Sequence, residues 1–276
     1  MNAPAANPIN DAYRRDGFYF PVPAMSAAEA AAYRAKLEDY ERSTGGPIAG
    51  EFRSDVHLLF TWANELVHHP RILDAVEAVL GPDILCWACS FFIKEAGDGS
   101  YVSWHQDATY WGLTPHDEVL TVWLALTDVP VESGAMKFMR GSHAGGLQTH
   151  EDTFAAGNLL SRGQEIRVDV DESRATDVVL RAGEFSMHHV LMAHGSHPNT
   201  TSDRRIGLAM RYIPTTVRQT EGKDTAILVR GTDRHGHFDL IDGPRADLDA
   251  QALATHQLAN QRRVDVLMRG TDKQVI

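Results

Sequence analysis

An antiparallel β sandwich or barrel behind an N-terminal helical layer is the fold class this sequence predicts, on three observations. Between residues 84 and 212 the apolar residues fall in short β-rich runs rather than stretches of helical length. Gly, Pro and Asp separate those runs, without the regularly interleaved helices that parallel βαβ units require. Most of the helical patterning lies ahead of this region, in residues 10–80.

Taken in order, residues 10–15 read as a short helix, and Gly17-Phe18-Tyr19-Phe20-Pro21 as an edge strand closed by its proline. Ser26-Ala27-Ala28-Glu29 is a capping box, in which hydroxyl and carboxylate can satisfy the free amides of a helix start. It opens an alanine-rich helix to about Arg42, with Tyr33 and Leu37, four apart, toward the core, and Thr44-Gly45-Gly46-Pro47 ends it. A second helical region spans residues 58–80, punctuated by Pro70, with Ile72, Val76, Val79 and Leu80 as its apolar stripe. His68-His69 fit a solvated helix end better than a ligand pair. The β runs are 84–93, 119–126, 135–139, 176–180, 184–189 and 206–212. The insert 141–174 is polar and too long for a hairpin, so a loop covering a site is expected there. After Pro214 the pattern is mixed, with a helix over about 249–266 and a polar tail. With no repeat or clear linker, one domain over 1–276 is expected, its core at about 84–214, its helices at about 10–80 and a C-terminal extension at 215–276.

A net charge of -11 argues against nucleic acid or an anionic membrane as the main partner. No apolar run approaches the roughly 18 residues that span a bilayer. Met1-Asn2-Ala3-Pro4 shows no basic region followed by an apolar core, so the expected location is cytoplasmic. The two cysteines form Cys86-Trp87-Ala88-Cys89 inside a buried-strand pattern. Residues three apart on a strand face opposite sides, and no second pair exists to complete a zinc site. Both are expected as packed thiols.

The chemistry gathers around Trp104-His105-Gln106-Asp107. On an extended strand His105 and Asp107 leave the same face, and a third imidazole from a distant strand would complete two histidines and a carboxylate around one metal. That facial arrangement suits non-heme Fe(II) and leaves positions open for a co-substrate and O2. His-x-Asp alone is weak, because 14 histidines and 37 acids produce it by chance. The second block, His194-Gly195-Ser196-His197-Pro198-Asn199 followed by Arg205, strengthens it: an arginine there could grip a carboxylate through two parallel N–H bonds. Arg204 and Arg211 compete for that role. Alternation puts Arg211 on the face of Arg205 and Arg204 on the other, so spacing leaves Arg205 only modestly ahead of Arg211. His188 and His189 are alternative ligands or supporting partners, with the Gly-Ser context favouring His194.

Together with Thr121-Val122-Trp123-Leu124-Ala125-Leu126, Ser133-Gly134-Ala135-Met136 and Arg140-Gly141-Ser142-His143, these motifs resemble the phytanoyl-CoA dioxygenase family of Fe(II)/2-oxoglutarate oxygenases over about residues 18–214. The resemblance implies a double-stranded β-helix (jelly-roll, cupin-like) core and coupling of 2-oxoglutarate decarboxylation to hydroxylation of an unactivated C–H bond. It implies Fe(II) on His105, Asp107 and His194. Arg205 and Ser196 would hold the distal carboxylate of 2-oxoglutarate, with Trp123 and Lys94 lining its pocket. Gly183-Glu184 stands where the family often has Gly-Asp, and Arg140 where it has Pro; neither touches the triad. Asp107 argues against a halogenase, which has a small residue at that position.

The substrate is the least legible part. Tyr110-Trp111 could wall the substrate pocket or be ordinary core aromatics, and Arg162 in the insert could read a substrate anion or be a surface charge. Arg218, Arg230 and Arg234 are open in the same way. No feature demands a CoA thioester, so a small polar or zwitterionic metabolite is expected, with no nucleic-acid or membrane partner and a homo-oligomer left open. Two other readings stand beside the hydroxylase. One is a cupin-like oxygenase or isomerase that needs no carboxylate clamp. The other is a non-catalytic jelly-roll binding protein.

Overall fold

The computed structural model describes residues 7–167 and 170–269. Residues 1–4, read above for a leader, part of the 141–174 insert and the polar tail from 270 lie outside the described residues. The chain opens with α1 (Pro8–Asp16), β1 (Phe18–Pro23), α2 (Ala27–Thr44), α3 (Thr61–Val67) and α4 (Pro70–Leu80). Strands follow: β2 (Ile84–Lys94), β3 (Val102–His105), β4 (Leu113–Thr114), β5 (Leu120–Ala125), β6 (Met136–Phe138), β7 (His150–Asp152) and β8 (Gln164–Ile166). Next come β9 (Thr176–Asp177), β10 (Glu184–His189), β11 (His194–Ser196) and β12 (Arg205–Pro214). The chain continues with β13 (Arg218–Gln219), β14 (Thr225–Arg230), β15 (Asp239–Leu240) and α5 (Ala250–Leu267).

Two sheets position the site. The larger has the order β1-β10-β5-β12-β2-β14-β15, the smaller β3-β11-β6-β9, and apart from β14–β15 their pairings are antiparallel. The helical layer covers one face of the larger sheet: Trp62, Leu66, Ile72 and Val76 pack with Val122, Leu124, Leu208 and Met210. Its other face, through Trp123, Ala125 and Ala209, packs on Met136 and Phe138 of the smaller sheet. Covered on both sides, β5 is buried along its whole length, which is why its run shows no polar alternation. The capping box forms as written: the Ser26 amide donates to the Glu29 carboxylate at 2.8 Å and the Glu29 amide to the Ser26 hydroxyl at 3.2 Å.

Several expectations are corrected. The 58–80 helical region is two helices, because the residue before Pro70 is pushed to extended backbone and the proline then starts α4. The 141–174 insert folds a hairpin of its own, β7 with β8. Only Thr176–Asp177 of the 176–180 run pairs as a strand, with Leu180 bridging Val129 separately. Beyond Pro214, β14 extends the large sheet, which the mixed pattern did not reveal. Cys86 and Cys89 do not face opposite sides. Arg211 pairs with Ala88 and Tyr212 with Cys86, so a bulge at Trp87 returns both thiols to the core under the helices. Both are free and buried, and burial raises both above the usual thiol range. Among the described residues no helix is long and apolar enough to cross a membrane.

Candidate active site

A pocket of about 410 Å³ lies between the two sheets, lined from one side by β2, β5, β10 and β12 and from the other by β3, β6 and β11. Its floor is set by register. β11 runs antiparallel to β3 with His194 directly opposite His105, so two histidines remote in sequence present rings whose centroids are 4.1 Å apart. Asp107 begins the 3-10 turn immediately after β3, and the candidate ligand atoms of His105, Asp107 and His194 lie within 4.8 Å of one another.

The hydrogen bonds prepare these groups for a cation. The Nδ1 atoms of His105 and His194 meet the carbonyls of Ser103 and Met192 at 2.9 and 2.8 Å. A carbonyl only accepts, so each Nδ1 carries the proton and each Nε2 presents its lone pair inward. Burial, then the neighbouring His105, holds the His194 imidazole well below its usual range, in the neutral form a metal needs. The Thr121 hydroxyl donates to Asp107 Oδ2 at 3.2 Å, while Oδ1 lies 3.4 Å from His105 Nε2. Two acceptors facing each other at that distance are reconciled by a cation between them. The donor set, two neutral imidazoles and a carboxylate, fits Fe(II).

The turn itself is held by Gln106, which is fully buried. Its side-chain amide donates to the Gly146 and Leu191 carbonyls at 2.9 and 2.8 Å and accepts from the Gln148 amide at 2.7 Å.

At the other end of the pocket lie Lys94 and Arg205, opposite each other on β2 and β12. Both are almost wholly buried, and among the described residues neither has a carboxylate within ion-pairing distance. Like charges directly opposite on a sheet repel. Lys94 donates to the Ser196 hydroxyl at 2.7 Å and to the His197 carbonyl; Arg205 donates to the Gly134 carbonyl, has no partner at Nε among the described residues and sits 5.1 Å from the Trp123 ring. Burial, then the Arg205 charge, pushes Lys94 down to about 7, and burial lowers Arg205 to about 10. An anion entering here would neutralise two cations on which Asp98 acts only from beyond ion-pairing distance. Gly207 is required for this layout, because a Cβ there would fall inside the Trp123 indole. Arg204, by contrast, points away and pairs with Glu41 and Glu95.

The sequence-derived residues therefore divide. His105, Asp107, His194, Ser196, Trp123, Lys94 and Arg205 converge on the pocket. Arg162 does not line it: its guanidinium pairs with Asp152, donates to the Leu267 carbonyl at 3.0 Å and lies 4.0 Å from the Tyr110 ring. Tyr110 donates to the other Asp152 oxygen at 2.6 Å, so the two form a staple between the β7–β8 hairpin and the end of α5. Trp111 packs beside Trp87 and against Arg211. Sequence reasoning missed Thr121, although it sits two before Trp123 on the same strand face, and Phe92, Met136 and Ala209, which read as ordinary core. His188 enters the pocket with Nε2 3.6 Å from Asp107 Oδ2.

The chain is similar to several known proteins. The family model for phytanoyl-CoA dioxygenase (PhyH) matches residues 13–207. The chain is 31% identical over 160 residues to a Stutzerimonas stutzeri protein described as a probable alpha-ketoglutarate-dependent hypophosphite dioxygenase, covering 56% of this chain and 54% of that one. It is 26% identical over 161 residues to the peroxisomal phytanoyl-CoA dioxygenase of Homo sapiens, covering 57% and 47%. These matches span about half the length of the curated relatives. Among solved structures, the apo form of the non-heme monooxygenase ThoJ superposes with a TM-score of 0.82 at 42% identity, covering 92% of this chain and 96% of that one. CytC3 with Fe(II) and alpha-ketoglutarate, at 24% identity and a TM-score of 0.65 over 88% and 96%, shares the fold. With the family model spanning the chain from α1 into β12, the protein belongs to the phytanoyl-CoA dioxygenase family.

Proposed function

We propose that this chain is an Fe(II)- and 2-oxoglutarate-dependent dioxygenase that hydroxylates an unactivated C–H bond of a small polar or zwitterionic metabolite. His105, Asp107 and His194 would hold the iron; Arg205, Lys94 and Ser196 would hold the distal carboxylate of 2-oxoglutarate beside Trp123. Bound Fe(II), with 2-oxoglutarate and O2, supplies the oxidising power, and succinate and CO2 leave. The chain's own part is to orient. The carbonyls of Ser103 and Met192 fix both imidazole tautomers, and Thr121 fixes the carboxylate. The two packed sheets are read as a double-stranded β-helix in one domain.

The observation that carries the reading is the buried pair Lys94 and Arg205, without an acid in ion-pairing distance among the described residues, beside three side chains that could hold a metal ion. A metal-only oxygenase or isomerase has no use for that pair. The small oxyanion named for the Stutzerimonas stutzeri relative is in keeping with a small polar substrate.

The test is anaerobic addition of Fe(II) and then 2-oxoglutarate, following a weak visible charge-transfer band. The band is expected in wild type and absent in Asp107→Ala, which should no longer retain iron. Iron binding without a band would remove 2-oxoglutarate from the reading; no iron binding would remove the enzyme.

A further inference from the structure

A second buried arginine in the pocket is not used by this scheme. Arg211 is 8% exposed and lines the cavity six residues beyond Arg205 on β12, about 20 Å along an extended strand. Among the described residues only its Nη1 has a hydrogen-bond partner, the Ala209 carbonyl at 3.1 Å, and its Nε has none. Among the described residues it has no carboxylate within ion-pairing distance. The guanidinium instead lies between the rings of Phe92 and Trp111, 5.5 and 5.6 Å from their centroids. These stabilise a cation in place without neutralising it.

Register places it with respect to the triad. Thr121 pairs with Arg211 on one side and His188 on the other, so the three form one cross-strand row, and the middle member donates to Asp107. Lys94 and Arg205 form a separate row at the opposite end of β12. A dicarboxylate held by Lys94, Arg205 and Ser196 lies toward that end, which leaves Arg211 to another anion on the far side of the metal site.

We propose that Arg211 docks an oxyanion, a carboxylate or phosphonate, of the molecule that is oxidised, and thereby sets which of its carbons faces the triad. Phe92, which lines the pocket beside Arg211, gives the adjoining wall an apolar, aromatic character that suits an unsaturated or ring-bearing body. This rests on the dioxygenase reading and narrows its substrate class to anions.

The experiment uses the full chain loaded anaerobically with Fe(II) and 2-oxoglutarate, with calorimetric titration of four probes: acetate, benzoate, phenylphosphonate and the neutral isostere benzamide. At least one oxyanion should bind, with benzoate or phenylphosphonate preferred over benzamide by about tenfold or more. Arg211→Met should abolish that preference and Arg211→Lys retain part of it, with the 2-oxoglutarate band and its titration midpoint unchanged in both. Failure of every oxyanion to bind wild type, or an unchanged preference in Arg211→Met, overturns the assignment. So does a weaker 2-oxoglutarate titration in either variant, which would give Arg211 to the co-substrate. Arg211→Lys keeps the test open if Arg211→Met does not fold. Absence of the band in wild type would instead strike the dioxygenase reading itself.

Discussion

Replacing Lys94 by methionine separates the demands of folding from those of anion binding. Lys94 is fully buried, and burial with the Arg205 charge opposite lowers it from the usual 10.5 to about 7. At about 1.36 kcal/mol for each tenfold change, that difference means the buried ammonium destabilises the protein by roughly 5 kcal/mol when no anion is present. The folded state disfavours the protonated form, so the cost is complete below pH 7. It fades as pH rises toward 10.5, where the unfolded chain also loses its proton. Lys94→Met removes the charge but also three hydrogen bonds, to the Ser196 hydroxyl and carbonyl and the His197 carbonyl, worth roughly 1 kcal/mol each. The metal-free variant should therefore be more stable than wild type by about 2 kcal/mol at pH 6, measured by urea unfolding. Anion binding runs the other way. 2-Oxoglutarate needs the protonated amine, so its affinity for wild type should fall about 30-fold between pH 6 and 8.5, following a group that titrates near 7. The variant should bind weakly with a flatter profile. Anaerobic titration at saturating Fe(II) reads both, and subtracting the two profiles removes the histidine ligands' own contribution. Parallel pH slopes, or a variant less stable than wild type at pH 6, would refute the reasoning.

Three further substitutions probe the supports of the site. Gly207→Ala puts a methyl group into the Trp123 indole; it should cost about 1–3 kcal/mol in denaturant unfolding and weaken 2-oxoglutarate binding, and a wild-type titration would count against Trp123 as part of that wall. Gln106→Ala leaves the Leu191 carbonyl and the Gln148 amide without their partners among the described residues, and the Gly146 carbonyl with only the Gln148 side-chain amide at 3.4 Å, so a loss of about 2–4 kcal/mol is expected together with weaker Fe(II) retention. Unchanged iron affinity would mean that sheet pairing alone holds the turn. Arg263→Met leaves Asp55 and Asp224 buried without their cation, at a cost of about 3–5 kcal/mol. Burial already raises Asp55, so the folded variant should hold protons that the unfolded chain gives up, and melting should be worse at pH 8 than at pH 5. Equal losses at both pH values would deny the unpaired-charge account.

Local physics was legible without coordinates. The α2 capping box and the bounds of β10 follow from side-chain chemistry and period-two patterning within a few residues. So does the sharing of one face by Arg205 and Arg211, both of which line the pocket. Readings failed where a distant element intervened. The thiols of Cys86 and Cys89 share a core because β2 bulges to stay in register with β12. Arg162 looked like a free cation because its partners, Asp152 and the carbonyls of Leu267 and Arg269, come from another hairpin strand and the far end of the chain. β14 escaped notice because its half-buried run, six residues long, lacks strong alternation.

The order of chemical groups along the chain was thus determined by the sequence itself: a His-x-Asp at the end of a strand, a later His-Gly-Ser, and an arginine following. Strand periodicity is a property of neighbouring residues and needs no tertiary information. Which groups meet was decided only by the fold. Cross-strand register sets His194 against His105, and Lys94, not an acid, against Arg205, because pairing partners are chosen by packing between elements remote in sequence. That choice is what turns an arginine only modestly ahead of Arg211 by spacing into half of a buried cationic pair with no carboxylate in ion-pairing distance among the described residues.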